Sequence, residues 1–153
     1  MNAYMTIAEM SVIVWCVSVC LTDLYFRSIP NILTIGAYLV AIFSLLITGH
    51  ALLGAQWQSV AMGVVLSLLL TFPAYAVRLL GAGDVKLILA IAVIGGWQLM
   101  LSSFVIASIL SIVLVVSHII FIQFRTRQSK PKRWIPFGAA LSVGLLSTIG
   151  VAV

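Results

Sequence analysis

Apolar runs recur along the whole chain, broken only by short polar stretches and by glycine or proline pairs. Most are long enough to cross a hydrocarbon layer of about 30 Å. The pattern predicts six helices, at about 7–25, 32–49, 57–78, 84–95, 98–123 and 136–152. The breaks carry the expected punctuation. Ser28-Ile29-Pro30-Asn31 separates the first two, and Pro30 suits a loop or a helix start. Gly81 and Gly83 precede the fourth, Gly95-Gly96 ends it, and Pro131 and Pro136 bracket the last loop. Pro73 lies inside the third, where it is expected to kink the helix. There is no internal repeat. The expected architecture is an all-α polytopic membrane protein with six transmembrane helices. Residues 1–153 form a single membrane-embedded domain, because no polar stretch exceeds the loop at 125–133.

Composition agrees: 63% of the residues are hydrophobic and 7% are charged, far from a water-soluble domain. A formal charge of +5 invites a nucleic-acid reading, but the basic residues are confined to short loops at span ends. Arg27 follows the first span, Arg78 and Lys86 flank the third loop, and the rest lie at 125–133. With six spans, these loops share one side and hold all eight basic residues. The positive-inside rule then places them in the cytoplasm and both termini outside it. The loop at 125–133 can also attract anionic lipid headgroups. The first span has no basic segment before it and no Ala-x-Ala site, so it reads as retained. Cys16 and Cys20 lie one turn apart and form no CxxC pair, so they read as small packing residues. No metal or cofactor is called for.

Charge changes the picture most where it is negative. Only Glu9, Asp23 and Asp84 are acidic, and the two aspartates interrupt apolar segments. A carboxylate inside a span is costly, which makes it a functional hypothesis by default. Asp23 lies about 21 Å from Glu9 along a helix, and Asp84 about 18–20 Å back from Gly96-Trp97. Both therefore fall at a similar depth below the cytoplasmic surface. Two carboxyls sharing one proton can hydrolyse an amide: one activates water and the other protonates the leaving nitrogen. His50 lies on the outer side and His118 within an apolar helix, so neither suggests a Ser-His or Cys-His alternative. Asp84 begins a helix and Asp23 nears the end of one, which points to Asp84 as base and Asp23 as acid. Arg27, one turn after Asp23, would reverse this if it reached back. Gly81 and Gly83 either let a loop present Asp84 to an extended strand or form an ordinary turn. Lys86 is either a snorkelling interfacial lysine or a contact to substrate or to the pair. Proton or cation transport through buried aspartates is a competing reading.

At these positions the sequence resembles the type IV prepilin peptidases, membrane aspartic proteases of the GxGD type. The resemblance rests on Asp23 followed by Arg27-Ser28-Ile29-Pro30-Asn31, and on Gly81-Ala82-Gly83-Asp84-Val85-Lys86-Leu87. Gly95-Gly96-Trp97 and Ile135-Pro136-Phe137-Gly138 also look like family positions. It implies an aspartic endopeptidase that removes the leader of prepilin or pseudopilin substrates at the cytoplasmic face, with Asp23 and Asp84 catalytic. Gly81, Gly83, Lys86, Arg27, Pro30 and Asn31 would bind substrate or support the pair, with no metal. Larger members carry an N-terminal segment with paired CxxC motifs and also methylate the new N-terminus. This sequence starts directly at the first span, so it is expected to be peptidase-only, like the branch associated with tight-adherence (Flp) pili. A transporter and an inactive pilus-assembly component remain the alternatives, and the oligomeric state is open.

Overall fold

The computed structural model of the chain describes residues 7–26, 28–78, 80–123 and 137–152. Arg27, the loop at 125–133, Pro131, Pro136 and the side chain of His118 lie outside the described residues. The described elements are all helical: α1 (Ile7–Phe26), α2 (Asn31–Thr48), α3 (Trp57–Ala76), α4 (Ala82–Gln123) and α5 (Phe137–Ala152). An isolated bridge between His50 and Gln56 closes the turn joining α2 to α3. That turn begins at Gly49, whose φ of 72° ends α2 in the left-handed conformation.

Helix ends follow the local chemistry. Pro30 is extended at φ −61° and ψ 134°, and α2 starts immediately after it. Gly81 precedes α4, which begins two residues earlier than the expected 84 and so takes Asp84 into its first turn. The break expected at Gly95-Gly96 is present, and two helices meet there. Gly96 adopts φ 80° and ψ −174°, in a region open essentially to glycine alone, and divides α4 into arms 82–95 and 97–123. Pro73 lies within the last turn of α3, where its carbonyl accepts the N–H of Val77.

Among the described residues, four helices are long and apolar enough to cross a membrane, and α5 is apolar but shorter. Their outward faces carry Leu21, Leu39, Phe43, Leu69, Phe72 and Ile109, all exposed. The interior packs large apolar residues such as Leu87, Ile91, Met100 and Leu141 together with small and hydroxyl-bearing ones, among them Ala41, Ser67, Thr71, Ala92, Ser103, Ala107 and Ser142. This arrangement suits a bundle in lipid, where outward hydrocarbon costs nothing and small residues let backbones approach closely. A Cβ on Gly63 would stand 3.0 Å from the Trp97 nitrogen, and one on Gly144 2.5 Å from the Ser103 carbonyl oxygen.

The bundle is centred on α4, which packs against α2, α3 and α5, while α1 packs mainly against α5. Gly144 meets Ser103 and Ala107, and Thr148 lies 3.3 Å from Ser103 hydroxyl to hydroxyl. That order makes α5 antiparallel to the second arm of α4. Along α1 the buried residues are Val12, Cys16, Val19 and Asp23, a single helical stripe. Cys16 is a packing thiol, as expected, and donates to the Ser142 carbonyl at 3.1 Å. The last residue of this apolar stripe is an acid.

Candidate active site

Asp23 is 5% exposed. Its Oδ2 accepts the N–H of Ala139 at 2.8 Å. Ala139 is the third residue of α5, and first-turn N–H groups have no partner within their own helix. The start of α5 therefore receives the carboxylate as helix N-termini receive anions generally. The approach is close enough to need glycine next door. A Cβ on Gly138 would stand 3.0 Å from Asp23 Oδ2, 3.1 Å from its Cγ and 2.9 Å from Ile29 Cδ1.

Asp84 is held differently. Its Oδ2 accepts the N–H of Gly81 at 3.1 Å, and its own N–H donates to the Gly81 carbonyl at 3.1 Å. The side chain thus reaches back to the residue before the helix, the carboxylate half of a capping box. Gly81 is buried and Asp84 half-buried.

One residue connects the two settings. Ile29, in the turn after α1, packs over both glycines. Its side-chain atoms lie 3.6–3.9 Å from the place a Cβ on Gly83 would take, and its Cδ1 lies 2.9 Å from the corresponding place on Gly138. Gly83 adjoins Asp84 and Gly138 adjoins the donor to Asp23, so both aspartates lie at the end of the bundle where α1 turns into α2.

The supporting residues divide. Lys86 Nζ donates to Asn31 Oδ1 at 3.0 Å, so this lysine is tied to α2. Tyr38 donates its hydroxyl to the Lys86 carbonyl at 2.7 Å, a second tie between the same helices. Pro30 is exposed and sets the start of α2. Sequence reasoning missed Tyr38, which lies within an otherwise apolar helix. It also missed the Ala139 N–H, although Phe137-Gly138 had been singled out. Because the first turn of α5 donates to Asp23, both carboxylates now face a helix N-terminus. The helix-end contrast between them therefore does not hold.

The fold and this constellation define a multi-pass, all-helical membrane protein with two carboxylates held at one end of the bundle. The model of the Type IV leader peptidase family matches residues 10–116, which is most of the chain. The protein belongs to that family, and so to a class of membrane peptidases. No curated protein and no solved structure matches it. The matched region contains Asp23, Ile29 and residues 81–86 but stops before α5, so the backbone donor to Asp23 lies outside it.

Proposed function

We propose that this protein is an aspartic endopeptidase that cleaves the leader peptide of type IV prepilin-like proteins at the cytoplasmic face of the inner membrane. Asp23 and Asp84 are its catalytic pair. The observation that carries the reading is the packing of Ile29 against both Gly83 and Gly138, which draws the two aspartate-bearing segments to one end of the bundle. Family membership supplies the reaction class. One carboxyl is ionised and takes a proton from water as the oxygen attacks the scissile carbonyl. The other is protonated and passes its proton to the leaving amide nitrogen. The two act as a unit, and neither role is assigned to one residue.

In this reading residues 1–153 form one domain with six spans, the arms of α4 crossing separately on either side of Gly96. The first arm is about 21 Å long, short of a hydrocarbon layer of about 30 Å, which leaves Asp84 below the surface. The loop charges orient both termini outside the cytoplasm. Methyl transfer is left out of the proposal, because Cys16 and Cys20 lie inside α1 and form no paired CxxC motif.

The deciding experiment is co-expression with a prepilin, comparing wild type with Asp23→Asn and Asp84→Asn. Either substitution is expected to abolish leader removal while the protein stays in the membrane. Full cleavage by either variant overturns the catalytic pair. Mass spectrometry of the new N-terminus, expected unmethylated, tests the peptidase-only reading.

A further inference from the structure

We propose that Ile29 is a positioning residue, a spacer whose side chain sets the separation of the two aspartate-bearing segments. The inference rests on the assignment of Asp23 and Asp84 as the catalytic pair. Ile29 belongs to neither segment, yet its branched side chain faces a glycine of each. On one side it stands over Gly83 at a distance that a single methyl would fill, 3.6–3.9 Å from the Cβ position there, and on the other its Cδ1 lies 2.9 Å from the Cβ position of Gly138. Both contacts are made to glycine, so no intervening side chain can yield when the spacer changes size. Each segment is also tied to the rest of the bundle, so that a shift at the spacer carries its aspartate with it. The Gly83 side is anchored by the Gly81–Asp84 bonds and, two residues beyond Asp84, by the Lys86–Asn31 and Tyr38–Lys86 bonds. The Gly138 side is anchored by the Ala139–Asp23 bond and by the close packing of Gly144 on Ser103.

A stiff, β-branched residue suits this place because few rotamers are open to it. Shortening it leaves a gap that one segment closes by moving, and a shift of about 1 Å in a reacting group can cost roughly a hundredfold in rate. Ile29 has no ionisable or hydrogen-bonding side-chain group, so its expected effect is on the placement of the pair and hence on the chemical step.

The test is steady-state leader cleavage by the purified full-length protein in detergent, using Ile29→Ala and Ile29→Leu. Ile29→Ala is expected to lower kcat by about ten- to a hundredfold with KM within about twofold. Ile29→Leu, which keeps the volume, is expected to recover most of the loss. Thermal unfolding of each variant separates misplacement from failure to fold, because kcat is counted per folded molecule. The spacer is overturned if Ile29→Ala cleaves at the wild-type rate or faster, or if its loss lies entirely in KM. If Asp23→Asn or Asp84→Asn still cleaves in the same assay, the catalytic pair has failed first. If both are dead and Ile29→Ala is unimpaired, the spacer alone has failed.

Discussion

Asp23 and Asp84 are the same residue type at the same end of one bundle, and they are held in opposite ways. Asp84 accepts from Gly81, three residues away in its own turn. Asp23 accepts from Ala139, 116 residues away in another helix. The Gly81–Asp84 bond is local and forms whenever α4 starts. The other exists only when α1 is docked on α5. A damaged interface therefore releases Asp23 from Ala139 while the bond from Gly81 to Asp84 stays. Changes that affect the two sides unequally follow from this contrast.

The largest effect is one the contrast does not divide. Asp23→Asn and Asp84→Asn each lower leader cleavage by at least about a thousandfold, read as precursor persisting on a gel. A large difference between them would mean that the two do not work as a unit.

Gly138→Ala comes next. The added methyl meets Asp23 Oδ2 at 3.0 Å and Ile29 Cδ1 at 2.9 Å, so both neighbours must give way. Cleavage falls by roughly a hundredfold, and unfolding stability drops by about 1–3 kcal/mol. Wild-type cleavage by this variant would remove the distinction between the two sides.

Gly83→Ala is the matching change on the local side, and it is expected to be mild. Its nearest neighbour, Ile29 Cβ, would be at an ordinary 3.6 Å. Alanine also favours the first turn of α4, by up to about 1 kcal/mol. The expected melting temperature is unchanged or slightly higher, with cleavage well above that of Gly138→Ala. A collapse of stability here would mean that the Gly83 side is the tighter one.

Tyr38→Phe gives the smallest effect. It removes the bond to the Lys86 carbonyl without a cavity, for about 1 kcal/mol. Thermal unfolding should detect the loss, and cleavage per folded molecule should change little.

The legible parts of this protein share a physical character. Helix positions followed from runs of apolar residues, and α1, α2 and α3 begin and end within a few residues of where the runs do. The break at Gly96 was legible because Gly95-Gly96 interrupts an apolar run. Even so, only the backbone conformation shows that the break falls at Gly96 alone, next to an Ile94 carbonyl that accepts the N–H of Leu53. Cys16 was readable as packing from its surroundings, whereas Lys86 was ambiguous because its partner, Asn31, lies on another helix. Tyr38 gave no signal, since a hydroxyl at the edge of an apolar helix does not say which carbonyl it meets.

The sequence by itself determined the helices, the scarcity of acids and the glycine frame of Asp84, all properties of short stretches of chain. A carboxylate three residues from a helix start finds the free N–H groups there without help from the rest of the fold. Only the tertiary structure decided where Asp23 finds its partner and what lies between the two sites. Every helix start carries unpaired N–H groups, and the packing of α1 on α5 selects the one at Ala139. The same packing seats Ile29 between Gly83 and Gly138, a contact among three separate segments of the chain.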